Sequence, residues 1–507
     1  MIESRTKNAT RNILYGIINK VITLILPFFT RTLILYILGA SFLGIGTLFT
    51  SILSFLSLAE LGIGSAICFI MYKPIADNDF KKIGSLLNYF RKLYRIVGFI
   101  ILGIGTFLVP FIPYLIKGKA PVNINIYILY YLYLINSVIS YFFAGYRQSL
   151  LIAHQRSDIV SKIATLAGLF IQFGQIIALY FTRNFYLYAT VPIIGTILIN
   201  ISNTIITRYK YPNIICKGVI DNQIKNEIKK RLSGLFGTKL NSIVVHSADV
   251  MIISSYLGLT MTAQFGNYYY IMNAICGLIG ILYSSMTAGI GNKLVKDSKL
   301  QNFLLFKNLF FVNAWIVGLC SVCFLCLYEP FMNIWVGEEL CLGTSYVICL
   351  VLYFYIYQIQ KTILTFKDAG GLWYEDRYRP YISMFINLVL NIILVQFIGI
   401  YGVVISTILA FFISIPWCNY IVFKIMFCKS AVMNLIIMLK YLFITSIIGL
   451  IAYFICILFP VSIFGIIERL CVCISVSNII YTLLFCKTDE YIFFKQLLKN
   501  ILKRKLI

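Results

Sequence analysis

Fourteen apolar segments of about 20–30 residues, joined by short polar loops, set the limits on how this chain can fold. A helix needs about 20 consecutive apolar residues to cross a hydrocarbon core of ~30 Å. The segments fall at 12–38, 42–71, 94–116, 123–146, 158–181, 185–207, 234–257, 262–292, 303–328, 341–366, 378–398, 400–423, 435–457 and 463–486. Each is a continuous apolar run rather than an alternation, which excludes a closed barrel. Without water to bond open backbone groups, each run must then be a helix. Composition agrees: 60% of the 507 residues are hydrophobic and 12% charged, where a globular chain carries about 25% charged residues. Mean hydropathy is +0.89. The sequence therefore predicts an all-α integral membrane protein with about 14 transmembrane helices. The longest polar stretch, Arg208 to Leu232, leaves no room for a soluble domain.

Charge sets the orientation. With the N-terminus on the cytoplasmic side, 32 of the 43 Lys and Arg fall in inside segments, and only Lys117, Lys119 and Arg183 fall in outside loops. That is a strong positive-inside bias, and it places both termini in the cytoplasm. It also accounts for most of the +25 net charge without a nucleic acid. The basic run Lys499 to Lys505 suits anionic lipid headgroups. Met1 to Arg11 is polar and basic, and the apolar run after it exceeds the 7–15 residues of a cleavable signal, so the first helix is expected to be retained. The 14 Cys show no disulfide or zinc spacing. Cys320, Cys323 and Cys326 lie near one face of a helix and read as small apolar residues. No metal site is expected.

An internal repeat is visible. Leu38-Gly39 closes the first segment and Leu257-Gly258 the seventh, and each precedes a very long span. Those spans end with Gly62-Ile63-Gly64 and Gly289-Ile290-Gly291, with a spacing that differs by eight residues. An offset of six spans gives two copies of the same orientation, so the expectation is two six-helix lobes in a pseudo-two-fold parallel repeat, plus two C-terminal helices, with a substrate cavity between the lobes. The corresponding divisions are 1–211 for the N-terminal lobe, 212–232 for a cytoplasmic linker, 233–429 for the C-terminal lobe and 430–507 for the last two helices and the basic tail.

Two stretches carry a family resemblance. Leu58-Ala59-Glu60-Leu61-Gly62-Ile63-Gly64-Ser65-Ala66, running on to Tyr72-Lys73-Pro74, resembles the second helix and following loop of bacterial polysaccharide repeat-unit flippases. Gly371-Leu372-Trp373-Tyr374-Glu375-Asp376-Arg377-Tyr378-Arg379-Pro380 resembles the loop before their eleventh helix. These flippases, for O-antigen and capsule units, are the polysaccharide transporter branch of the MATE-like superfamily. The resemblance covers the first twelve spans and implies a non-enzymatic function. Such proteins move an undecaprenyl-diphosphate-linked oligosaccharide from the inner to the outer leaflet of the cytoplasmic membrane by alternating access. A polysaccharide polymerase or ligase is the implied downstream partner. No cofactor is called for; coupling to a proton or sodium gradient would supply energy, since no phosphate-binding loop for ATP is present.

Charges within the spans supply the candidate site, because a charge at a bilayer centre costs roughly 2.5–3.5 kcal/mol on insertion scales and usually faces a protein interior. Lys20 and Arg31 are eleven residues apart, about 20° from a whole number of turns, so both lie on one face of the first helix. A ladder of two cations suits a diphosphate moving past. The plainer alternative is that each neutralises a neighbouring acid. The seventh helix carries Lys239, Ser242, His246 and Asp249 as a polar stripe. The diphosphate-binding candidates are Arg31, Lys20 and Lys239; the coupling or gate candidates are Asp249, His246 and Glu60. Arg31 and Asp249 are expected to compete or pair. His246 beside Asp249 suits proton coupling, or a buried His with a satisfied hydrogen bond. Lys20 and Glu60 have similar depth and could form a structural pair. Lys162, Lys307, Lys361 and Lys440 lie near an inner face, where they can snorkel. Glu468 and Arg469 point in different directions. The segment Tyr374 to Pro380 reads either as a solvated loop with local ion pairs or as a cytoplasmic gate, and Pro380 suits a helix start.

No catalytic constellation is visible, and the only histidines are His154 and His246. Two further readings stay open beside the flippase: a lipid II flippase, which shares the diphosphate chemistry, and a MATE-like cation-coupled drug exporter, which would favour acids in its cavity.

Overall fold

The computed structural model describes residues 5–60, 62–118, 120–121 and 124–504. Side chains are described over the same residues except 5–14, 17, 59, 65, 227, 229–236, 238, 239, 242, 285, 288, 497, 498 and 500–504. The described chain is helical throughout, without a strand. Ten helices are long and apolar enough to cross a membrane, or up to twelve when each of two bent pairs is one span. Those pairs are Phe80–Phe107 with Val109–Leu115, bent by 58°, and Ile126–Phe142 with Gly145–Ala153, bent by 52°. Pro110, at the start of the short 3-10 turn Val109–Leu115, removes an amide from the helical ladder and favours the first bend.

The chain divides into two compact units, residues 1–266 and 267–507. The first contains α1 (Arg5–Ile37), α2 (Ala40–Leu56), α3 (Ile63–Ala76), α4 (Phe80–Phe107), α5 (Ile126–Phe142), α6 (Gln148–Ala153), α7 (Ser157–Ile177), α8 (Phe185–Lys210) and α9 (Asn222–Leu257). The division falls within α10 (Leu259–Lys296). The second unit continues with α11 (Lys299–Val336), α12 (Thr344–Ile359), α13 (Lys361–Ala369), α14 (Arg379–Ile398), α15 (Ile400–Val422), α16 (Ala431–Cys456), α17 (Ile463–Phe485) and α18 (Asp489–Arg504).

In the first unit, α1 lies along α7, and α9 lies along α2. Its core is aliphatic and aromatic, with Ile45, Leu48, Phe49, Ile67, Leu86 and Tyr130 all but sealed from solvent. In the second unit α11 is central, touching α12, α16, α17 and α18. Phe306, Phe366, Phe423 and Phe427 pack edge-on or tilted around one another. Trp315 stacks on Tyr481 and on Tyr491, which fastens the amphipathic α18 to the bundle. Lys307, expected to snorkel, forms an ion pair with Glu490 of that helix at 2.8 Å.

The second apolar segment departs from its expected form. Rather than one long span, α2 ends at Leu56 and a 3-10 turn, Ser57–Glu60, intervenes before α3. Gly62, in the left-handed conformation, precedes the restart. The seventh segment, by contrast, lies within one continuous helix, α9.

The glycines of the sequence repeat share a conformation. Gly39 joins α1 to α2 with φ 99° and ψ 168°, and Gly258 joins α9 to α10 with φ 93° and ψ 177°. That region is essentially reserved for glycine. Nothing lies within 4 Å of a Cβ added at Gly39, so a substitution there meets backbone strain alone. Gly39→Ala and Gly258→Ala should each lower stability by about 1–3 kcal/mol. Thermal melts of the solubilised protein check this; unchanged midpoints for both would show that the junctions do not require glycine.

Candidate functional site

Two threonine bonds fix how α1 is turned. Thr165 donates to Asn19 Oδ1 at 3.0 Å, and Thr30 donates to Gln172 Oε1 at 2.9 Å. Both run between α1 and α7. Asn19 and Thr30 each precede a candidate cation by one residue, so Lys20 and Arg31 lie on a shared face about 100° round from that seam. Arg31 is held within the first unit: its Nη2 is 3.2 Å from the place a Gly266 Cβ would occupy. Its charge also reaches the Tyr188 phenol.

Tyr188 lines a cavity of about 400 Å³ inside the first unit. The turn of α2 into its 3-10 continuation contributes Thr50, Ser54 and Ser57; α5 contributes Tyr133, Asn136 and Ser137; α7 contributes Gln175. The described lining is rich in hydroxyls and amides and carries no formal charge. Thr196 donates to Asn136 Oδ1 at 3.0 Å, and Gln175 Nε2 donates to the Tyr188 carbonyl at 3.4 Å, so part of the lining is pre-oriented. Hydroxyls, amides and phenol rings are groups that recognise polyhydroxylated ligands, by hydrogen bonding and by apolar stacking on ring faces.

Glu60 sits three residues beyond Ser57, at the end of the break in the second span. Its two carboxylate oxygens each accept a short bond: Tyr94 donates to Oε1 and Tyr141 to Oε2, both at 2.6 Å. The two phenol rings pack at 5.1 Å between centroids. Among the described residues Glu60 makes no ion pair, so the expected partnership with Lys20 is replaced by two neutral donors. No local signal marks these tyrosines, which come from α4 and α5.

On α9, Asp249 is buried, and both it and His246 have interaction partners, as does Arg31. The Lys239 and Ser242 side chains lie outside the described residues.

The segment expected as a solvated loop or gate is buried at its centre. Asp376 is 2% exposed and lies between two cations. Arg379 Nε donates to Oδ1 at 2.6 Å and Nη2 to Oδ2 at 2.7 Å; Lys367 Nζ donates to Oδ2 at 2.9 Å. Arg379 Nη1 also donates to Ser414 on α15 at 2.7 Å. This bidentate, charge-assisted arrangement ties α13, the loop, α14 and α15 together. Arg377 instead lies outside the cluster, over the rings of Tyr374 and Tyr378. The helix start expected at Pro380 is present, with α14 beginning at Arg379. Burial alone would raise the Asp376 carboxyl, but the hydrogen bonds and charge of Arg379, with the charge of Lys367, hold it below the usual carboxylate range.

No family model matches the chain, and no curated protein matches it. Solved structures do. The chain is similar to the lipid II flippase MurJ in an inward closed conformation, with a TM-score of 0.69 and 18% identity over 93% of this chain and 99% of that one. It is similar to an inward-facing multidrug resistance MATE family transporter of the MOP superfamily, with a TM-score of 0.64 and 14% identity over 80% and 94%. A MOP superfamily transporter from Pyrococcus furiosus gives a TM-score of 0.54 and 14% identity over 84% and 97%. The chain thus has the fold of these membrane transporters.

Two outcomes follow from these carboxylates. Tyr94→Phe and Tyr141→Phe each remove a donor to Glu60 and should cost about 1–3 kcal/mol each, read as lowered melting midpoints; no loss in either would show that the carboxylate does not need them. Asp376 has a folded pKa below its unfolded one. Its contribution is therefore present above the ordinary value of ~3.9 and is lost as pH falls through the lower folded value. Asp376→Asn leaves the buried Arg379 without its carboxylate and Lys367 with only the half-exposed Asp368, 3.3 Å away, and should cost about 3–5 kcal/mol at pH 7. The gap between wild type and variant should narrow in melts near pH 3; a gap independent of pH would remove the ion cluster as its cause.

Proposed function

We propose that this chain flips undecaprenyl-diphosphate-linked oligosaccharide repeat units from the inner to the outer leaflet of a bacterial cytoplasmic membrane, for surface polysaccharides of the O-antigen or capsule kind. The observation that carries the reading is Arg31 beside an uncharged cavity of hydroxyls, amides and phenols. A guanidinium matches a diphosphate through bidentate, charge-assisted bonds. A neutral polar pocket matches sugar hydroxyls. One ligand bearing both groups is a lipid-linked sugar.

In this reading the chain spans the membrane fourteen times with both termini cytoplasmic, as lobes 1–211 and 233–429 joined by the linker 212–232 and followed by 430–507. Lys20 and Arg31 form successive diphosphate contacts up one face of α1, with Lys239 as a third. Asp249 competes with the diphosphate for Arg31, so substrate arrival frees Asp249, and His246 and Glu60 take part in coupling to a proton or sodium gradient. The lobes alternate access, and a polymerase consumes the delivered unit. No bond of the substrate is made or broken.

A lipid II flippase is the second reading, favoured by the fold likeness to MurJ over nearly the whole of both chains. It needs the same diphosphate contact and differs in the sugar. A cation exporter is the poorer match, because no acid lines the cavity.

Deletion of the gene should trap lipid-linked repeat units in the inner leaflet, and the wild-type chain should release them. Arg31→Ala, at equal membrane abundance, should reduce release at least tenfold, as loss of a charge-assisted contact worth about 1.5–3 kcal/mol implies. The charge exchange Arg31→Asp with Asp249→Arg should recover part of the activity that either single change removes. Normal export in a deletion strain lacking any second flippase overturns the reading. Arrest of cell-wall synthesis on depletion, with surface polysaccharide intact, favours lipid II.

A further inference from the structure

Three helices of the second unit bring cysteines to one point. Cys326 lies on α11, Cys456 ends α16 and Cys473 lies on α17. All three are buried, and their sulfurs lie within 4.8 Å of one another. Cys456 Sγ and Cys473 Sγ are 3.9 Å apart. The Cys473 thiol also hydrogen bonds to Cys323, one turn before Cys326 on α11. A separation of 3.9 Å is too long for a sulfur–sulfur bond, which is ~2.05 Å. It matches thiolates sharing one metal: at a metal–sulfur distance of ~2.3 Å, ligand sulfurs sit about 3.8 Å apart in a tetrahedron and about 4.0 Å apart in a trigonal plane.

Two unsatisfied polar groups flank the point on α17. Arg469 precedes Cys473 by four residues and Ser477 follows it by four, so both lie on the Cys473 face. Arg469 is 8% exposed, Nη2 donates to the Phe459 carbonyl at 2.6 Å, and Nε has no partner. Ser477 is fully buried and its hydroxyl has no partner. Buried donors left unbonded cost ~1–3 kcal/mol each, so they call for an acceptor. Neutral thiols are poor acceptors. Metal-bound thiolates are anionic, and Arg469 supplies a compensating charge inside a medium where an unbalanced one is expensive.

We propose that Cys326, Cys456 and Cys473 form a site for one thiophilic cation, Cu(I) or Zn(II). Soft thiolate ligands select these ions over hard cations such as sodium or magnesium. On binding, each coordinating S–H gives up its proton to solvent and forms a metal–sulfur bond, with no change of oxidation state. Cys456 is next to the loop 457–462 that joins α16 to α17. The cation clamps α11, α16 and α17 together. The sequence concealed the site because its three cysteines come from helices far apart in the chain.

The test uses the full chain, purified in detergent under reducing, oxygen-free conditions. It is loaded separately with Zn(II) alone and with Cu(I) delivered from a bicinchoninate complex, then desalted. One of the two metals should remain at one equivalent per chain. X-ray absorption at that metal's edge should show three or four sulfur neighbours and no nitrogen or oxygen shell. The triple variant Cys326→Ser, Cys456→Ser, Cys473→Ser should fall at least tenfold in bound metal. A control with the exposed Cys428, Cys471 and Cys486 changed to Ser should keep it. The absorption spectrum of the wild-type chain decides the question if the triple variant fails to fold. Less than a tenth of an equivalent of both metals, a shell of nitrogen and oxygen only, undiminished loading in a folded triple variant, or a Cys456–Cys473 disulfide in the intact mass overturns the proposal.

Discussion

Hydrocarbon offers no hydrogen bonds, and this constraint orders the whole molecule. Backbone groups meet it by forming helices. Charged side chains must meet it one at a time, with partners the fold brings to them. Glu60 is met by two neutral phenols, Asp376 by a guanidinium and an ammonium, and Arg469 by a backbone carbonyl. These solutions leave different residues behind. Asp376 with Arg379, Lys367 and the half-exposed Asp368 forms a cluster of two acids and two cations, and the second unit uses it to tie four segments together. Glu60 is bonded by two neutral donors.

The helix break beside Glu60 belongs to the same account. A continuous helix would bond its own carbonyls and amides. The 3-10 turn at Ser57–Glu60 and the left-handed Gly62 interrupt that ladder, and such irregular backbone survives at membrane depth only where protein or a wet cavity covers it. Ser57 opens onto the hydroxyl-lined cavity on one side, while Glu60 meets the two phenols on the other. The break thus puts polar backbone, a carboxylate and a neutral polar pocket within one turn of each other.

How much of this the sequence disclosed depends on whether a feature is local. Long apolar runs and the positive-inside bias are local, and the helical bundle follows from them. The spacing of Lys20 and Arg31 gives a shared face, and the seam made by Asn19 and Thr30 agrees with it. The Leu-Gly junctions at 38–39 and 257–258 are local too, and their glycines have nearly equal dihedral angles. Partners are not local. Periodicity says which way Glu60 faces but not that Tyr94 and Tyr141, 34 and 81 residues on, will meet it. Equal depth suggested Lys20, yet depth is one coordinate of three. A polar run such as Tyr374 to Pro380 looks solvated by composition, whereas Asp376 and Arg379 are buried by their contacts with α13 and α15. Interrupting one apolar run cost the expected long second span, because Leu58 and Leu61 mask a turn that Glu60 and Gly62 impose.

The contrast between these two carboxylates, Asp376 buried and Glu60 partly so, lies in their partners. A proton added to Asp376 would turn one of its oxygens from an acceptor into a donor facing Arg379 or Lys367, which are donors only. The ion cluster would break, so this group is suited to holding segments in place. A proton added to Glu60 meets tyrosine hydroxyls, each of which can donate or accept. One phenol would have to turn its oxygen to accept the new O–H, which takes its own hydrogen away from the carboxylate, while the other continues to donate. Glu60 thus meets two neutral hydroxyl donors where Asp376 meets two cations, and the two carboxylates hold their surroundings by different bonds.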